Sequence, residues 1–248
     1  MKNSEMTLKV FIFLLGTSLF LGCLPGCFHD QRTITQISSF STLASGGYDG
    51  RIPLEKLLSY GNFGLGTFHG LDGEMIVLDG HVYQVRSDGR VQKPSIETTT
   101  TPFASVIHFH KEYDKDLPLD ATLEQIKAAT ESMIPNLDDF CAVKVSGQFK
   151  YLKTRSVPIQ TKPFPPLEEV LKTQSIFEFR NVEGTMVGFR SPVGAGSIVP
   201  AAFHFHFISE DRSFGGHVLE FVAKTAKLEI QRVDQFNLFM PIQKSQAK

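Results

Sequence analysis

Three histidines, His204, His206 and His217, stand where an alternating stretch of the chain turns back on itself. Phe203, His204, Phe205, His206 and Phe207 alternate strictly. That is the period of a strand with two different faces, aromatics on one and imidazoles on the other. Ser209 to Gly215 is polar and ends in glycine, which reads as a hairpin connection. A hairpin centred between Asp211 and Arg212 sets His217 on the returning strand opposite His206, so that three imidazoles share one face within reach of one point. Three neutral imidazoles on rigid strands, with a fourth position open, are the ligand set of a catalytic zinc site. For a lone His-x-His pair the plainer reading is a half-buried pair in an aromatic-rich sheet. The third histidine in register, behind Gly215 and Gly216, favours a metal.

The other polar candidates read more quietly. His108 and His110 form a second alternating pair, but no third histidine is in register and Lys111 follows directly, so they read as a surface strand end. His69 sits beside Gly66-Thr67-Phe68 at the edge of a candidate pocket, and His81 follows an Asp-Gly turn and reads as exposed. Glu74 opens the apolar run Met75 to Leu78, and by itself it is a turn carboxylate directed to water. Arg155, close to Lys150 and Lys153, by itself is a solvated cation. Asp72, Gly73, Glu210 and Asp211 are turn residues.

Three ordered stretches together resemble one known family. FHFHFISEDRSFGGHVL at Phe203–Leu219 looks like the metal-binding hairpin of the α-acetolactate decarboxylases. GTFHGLDGEMIVLDG at Gly66–Gly80 and RSVPIQTKPFPPL at Arg155–Leu167 match two further stretches, and the resemblance runs from about Ser39 to Met240. It implies decarboxylation of 2-acetolactate to acetoin at a Zn2+ held by His204, His206 and His217. The metal would act as Lewis acid and electron sink for the enediolate, with no thiamine or pyridoxal cofactor. Arg155 would hold the carboxylate or the developing charge through its forked donors. Glu74 would protonate the enediolate on one face. Thr67 would be a pocket hydroxyl, and the protein a homodimer. One departure stands out: many members carry a Glu near the C-terminus that folds back over the site, whereas here no acid follows Asp234. Two other readings remain open. His204-x-His206-x-x-x-Glu210 also resembles a cupin metal motif, although the second cupin motif has no counterpart. A non-catalytic zinc-binding lipoprotein fits the leader described next.

The elements that must position these residues follow from the rest of the chain. With 248 residues, 42% hydrophobic and 21% charged, it can bury a sizeable core. A formal net charge of -1 leaves no basic excess to neutralise phosphates, so no nucleic acid is expected, and the resemblance implies a small-molecule substrate as partner. Lys2 and Lys9 precede an apolar run from Val10 to Leu21, too short to span a bilayer comfortably but suited to a signal-peptide core. Cys23 and Cys27 follow at once, so residues 1–27 read as a leader exported from the bacterial cytoplasm, with a lipid anchor at Cys23 or Cys27. Cys141 is then the one cysteine of the body: no disulfide framework, and a small core residue. Residues 30–49 are polar and partly linker. Asn62 to Val91 is a meander of short strands split by glycine turns. Asp120 to Met133 carries an amphipathic helix with a Thr122/Gln125 capping box and a stop at Pro135, and short helices are expected from Ile52 and from Leu167. The fold class is α+β, two-domain, rich in mixed and antiparallel sheet with few helices. A boundary in the proline-rich crossing divides an N-terminal mixed-sheet domain at 28–160 from a C-terminal β-rich domain at 161–248 that carries the hairpin.

Overall fold

The computed structural model describes residues 32–240 apart from 135, 137 and 201. The leader with Cys23 and Cys27, Pro135 and the polar tail after Met240 lie outside the described residues. The chain begins with β1 (Thr33–Ile37), α1 (Phe40–Ala44), β2 (Ile52–Pro53) and α2 (Leu54–Leu58). The meander follows as β3 (Phe63–Thr67), β4 (Glu74–Leu78), β5 (His81–Val85) and β6 (Val91–Gln92), then β7 (Thr100–Thr101), β8 (Ala104–Ile107) and β9 (Tyr113–Asp116). The second half holds α3 (Leu123–Met133), β10 (Phe140–Ser156), α4 (Leu167–Leu171), β11 (Ser175–Ser191), β12 (Ala202–Ser209), β13 (Gly215–Val233) and β14 (Gln235–Phe239). The fold is α+β, dominated by strands.

The strands form two main sheets. The first has seven strands in the order β14-β1-β8-β3-β4-β5-β6, antiparallel except for the parallel pair of β1 and β14. In the second, β10 pairs with both β11 and β13, and β12 joins β11 to β13, so these four strands close on themselves; β9 adds to β13. One apolar layer lies between the two sheets, with Ile34, Phe63, Leu65, Ile76 and Val85 meeting Ala142, Val187, Phe189 and Ile208. The alternating strands bury their other faces as well. Val143, Val145, Phe149 and Phe207 pack with Ile126 of α3, and Met75, Val77 and Val106 pack with Leu54 and Leu57 of α2. Each fully buried side chain of this size contributes roughly 1.5–3 kcal/mol. The capping box of α3 forms as expected, Thr122 N–H donating to Gln125 Oε1 at 2.9 Å.

Two segments differ from the sequence reading. Residues 33–37, expected as linker, form β1 inside the first sheet, and Ser39 caps α1 by accepting from Thr42 N–H at 3.2 Å. Their polar composition hides this because Thr35, Gln36, Ser38 and Ser39 are all buried, Gln36 bonding across the fold to Ile198 O and Ser105 Oγ. The proline-rich crossing, where the domain boundary was expected, joins β10 to β11, which are paired from Cys141↔Arg190 to Ser156↔Ser175. It is therefore an excursion within one sheet. The chain also returns to the first sheet at β14, which pairs with β1.

Candidate metal centre

The hairpin of β12 and β13 has the expected register. His206 pairs with His217, and Ser209 N–H closes the turn on Phe214 O at 3.0 Å. The turn is held by its own side chains: Asp211 accepts from the hydroxyls of Ser209 and Ser213, both at 2.7 Å, which makes Glu210 and Asp211 turn residues as expected. Gly216 has φ +132, and a Cβ there would lie 2.6 Å from Arg155 O. Only glycine lets β13 pass this close to β10 while presenting His217 on the face shared with His204 and His206.

The three ring centroids lie 4.9 to 5.3 Å apart, and the candidate donor atoms all fall within 4.8 Å of one another. His204 Nε2 and His217 Nδ1 are 3.1 Å apart. Tetrahedral zinc with Zn–N bonds of about 2.0–2.1 Å sets its ligand nitrogens about 3.3 Å apart, close to this spacing. His206 adds a sharper test. Its Nδ1–H donates to Met75 O at 2.8 Å, which fixes the tautomer and leaves Nε2 as an acceptor. That Nε2 is buried, has no hydrogen-bond partner, and faces Glu74 Oε2 at 3.4 Å. Two acceptors facing each other in a buried site call for a cation between or beside them. The donor set present therefore fits a divalent metal.

Burial is the main cause that holds all three imidazoles below the ordinary histidine value of 6.5. Repulsion adds to it, from His206 and Arg155 at His204, and from Arg155 and the other two rings at His217. At His206 the neighbouring Glu74 and the bond to Met75 O partly oppose it. Neutral imidazoles are what a metal requires. A folded-state pKa below the unfolded one also means that the unfolded chain takes up protons first on acidification. Metal-free protein should thus keep this contribution to stability above pH 6.5 and lose it as pH falls below that value. Denaturant midpoints measured at pH ~8 and pH ~5.5 should differ in that sense, and a flat profile would mean that the rings are charged in the fold.

Glu74 and Arg155 depart from what their residue types suggest alone. Glu74 is 5% exposed at the start of β4, and Arg155 Nη1 donates to its Oε1 at 2.8 Å. Neither is solvated. Arg155 lies opposite His217 across the β10/β13 pair, and Glu74 lies opposite Thr67 across β3/β4. Removing one member of this largely buried pair leaves the other uncompensated and destabilises the fold. The Thr67 hydroxyl donates to Gly73 O at 2.7 Å, so toward the cavity it presents an acceptor. All six residues line one cavity of about 160 Å³, far more than the ~10–15 Å³ that a single water needs.

The far wall of this cavity was not legible beforehand. Phe40 and Leu43 of α1, Leu167 and Leu171 of α4, Leu71, Phe103 and Val157 make it apolar. The helix from Leu167 forms as expected, as α4, but its place beside the histidines is set by the fold; α1 is five residues long and lacks the repeated apolar period that marks a helix in a sequence. His69 is exposed, its Nδ1 accepting from Gly50 N–H at 3.0 Å, and it is not among the residues that line the cavity. His81 is exposed at the start of β5, and His108 and His110 lie just past β8, away from the three-histidine cluster. Cys141 is fully buried, and burial pushes its thiol up to about 12.

Comparison with known proteins agrees with the geometry. Residues 34–247 match the family described as alpha-acetolactate decarboxylase. The chain is 44% identical to the Methanosarcina mazei alpha-acetolactate decarboxylase over 75% of its own length, although this spans only 64% of that relative. It is 39% identical to the Bacillus subtilis enzyme over 84% of this chain and 81% of that one. The crystal structure of alpha-acetolactate decarboxylase from Bacillus subtilis strain 168 superposes with a TM-score of 0.83 at 38% identity, covering 86% of this chain and 90% of that one. A Staphylococcus aureus protein of the same likeness gives 0.83 at 29% identity, over 87% and 94%. The chain belongs to the alpha-acetolactate decarboxylase family of carboxy-lyases.

Proposed function

We propose that this chain decarboxylates 2-acetolactate to acetoin with zinc as its metal, and that His204, His206, His217, Glu74, Arg155 and Thr67 form the active site. The observation that carries the reading is the convergence of one carboxylate, one guanidinium and three neutral imidazoles at the polar end of an otherwise apolar cavity. Bound by His204, His206 and His217, zinc supplies a Lewis acid that draws electron density onto the substrate oxygens.

The chain's own groups do the rest. Arg155 holds the substrate carboxylate, a planar anion that its fork matches. Thr67, with its proton committed to Gly73 O, accepts from the substrate hydroxyl. The apolar wall takes the methyl groups and keeps water from the carbon that becomes electron-rich when the bond to CO2 breaks. Glu74 then delivers a proton to that carbon from one face, which gives acetoin of one hand, and is reloaded from solvent. Arg155 is engaged with Glu74, so a substrate carboxylate competes for the same guanidinium and loosens that pair.

The leader reading belongs to this proposal as well. Residues 1–27 act as an export segment with a lipid anchor at Cys23 or Cys27, and the mature protein is a homodimer. Protein lacking residues 1–27 should be soluble, form acetoin from 2-acetolactate at the turnover of the full chain, and hold about one zinc per chain. A folded, zinc-loaded protein that releases no acetoin would reject the activity, and aggregation of the shortened chain would make the leader part of the fold.

A further inference from the structure

β10 ends in Thr154, Arg155 and Ser156. Strand alternation sends the middle side chain to one face and the outer two to the other. Arg155 reaches Glu74 in the cavity. Thr154 and Ser156 are both fully buried, and neither hydroxyl bonds to the strand partner opposite it. Thr154 Oγ1 donates to Gly215 O at 2.9 Å, and Ser156 Oγ donates to Val85 O at 2.8 Å. The two acceptors are not arbitrary. Gly215 opens β13 two residues before His217, and Val85 closes β5 as the ladder partner of Glu74. The two ends also lie close together, since a Cβ added at Gly215 would come within 3.1 Å of Val85 Cγ2.

Those two hydroxyls therefore tie one short segment to both halves of the site, the hairpin of the second sheet and the carboxylate strand of the first. We propose that Thr154 and Ser156 are positioning residues of this active site, Thr154 fixing the strand of His217 and Ser156 fixing the strand of Glu74, with the guanidinium of Arg155 held between them. A buried strand end needs no hydroxyls, since valine fills the place of threonine at no polar cost. Two hydroxyls aimed at the ligand strand and at the acid strand have a use that valine lacks. Bonds of this kind around metal ligands set their orientation.

The inference rests on the proposed active site; metal retention tests it apart from turnover. Thr154→Val should release metal to a competing chelator ~10–100-fold more readily than wild type, the range found when groups supporting a metal ligand are lost. Ser156→Ala should retain metal at the wild-type level but lose kcat by ~10-fold or more with KM unchanged, and its acetoin should be less purely of one hand. Thr154→Ser and Ser156→Thr, which keep the hydroxyl, should restore both. If Thr154→Val does not fold, Thr154→Cys, whose thiol is a weak donor, gives the same reading against Thr154→Ser. Wild-type metal retention and kcat in the folded fraction of Thr154→Val and Ser156→Ala, with only the melting temperature lowered, would overturn the proposal. So would loss of metal from Ser156→Ala equal to that from Thr154→Val. Absence of acetoin from the wild-type protein would instead reject the activity and leave the chelator result standing.

Discussion

His206→Ala should strip the protein of metal and leave no measurable turnover, with the larger part of both effects traceable to one atom. His206 is 1% exposed, its Nδ1–H is committed to Met75 O, and its Nε2 has no partner other than what the cavity supplies. Truncation removes a ligand and also the bond that Met75 O accepts from the Nδ1–H, a further cost of roughly 0.5–1.5 kcal/mol. His204→Ala and His217→Ala should lose metal too, but without that second penalty, so their melting temperatures in the metal-free state should fall less. His108→Ala and His110→Ala serve as controls, since both lie just past β8 and outside the cluster. Metal content and thermal melts on the same preparations decide the matter. Metal retained by His206→Ala, or lost from His108→Ala, would put the ion elsewhere.

The hairpin was the most legible part of the fold because its information is local. Strict alternation from Phe203 to Phe207 and a polar turn that ends in glycine fix the register within a few residues, and His206 does pair with His217. Glu74 was not legible from its neighbours. A carboxylate after Asp72 and Gly73 looks like any turn acid, and what buries it is Arg155, 81 residues further on. The resemblance to a family singled out both residues, but their apposition is a tertiary fact. Polar composition likewise hid β1, whose Gln36 bonds to Ser38 O, Ile198 O and Ser105 Oγ. The prolines after Ser156 read as a boundary because they cannot continue a ladder, yet a strand can stop and be resumed by its own partner. The apolar wall came from α1, which shows no periodic signal, and from α4, whose helix was expected but whose place at the cavity is a tertiary fact.

Glu74→Gln should cost turnover roughly 10²–10⁴-fold, the usual range for a positioned acid or base. The amide keeps the shape of the carboxylate and still accepts from Arg155 Nη1, so the pocket walls stay in place. What it cannot do is carry a proton to the substrate carbon. It also trades an ion pair for a bond from the guanidinium to a neutral acceptor, so the melting temperature should fall, by an amount that corresponds to roughly 1–3 kcal/mol. That loss is the mark of a buried pair; a turn carboxylate in water would change stability by within about 0.5 kcal/mol. Metal content should hold, because three imidazoles remain. Acetoin that still forms should be partly racemic, since the proton is then no longer delivered from one fixed face and part of the enediolate is protonated after it leaves the cavity. The three readings, kcat, metal content and enantiomeric ratio, separate the roles open to this residue. Full activity with unchanged handedness would remove Glu74 from the chemistry. Metal lost in step with activity would make it a ligand, which its 3.4 Å approach to His206 Nε2 leaves geometrically available. Activity lost with metal and handedness both intact would leave Glu74 to hold Arg155 in place, the proton coming from another group on the same face.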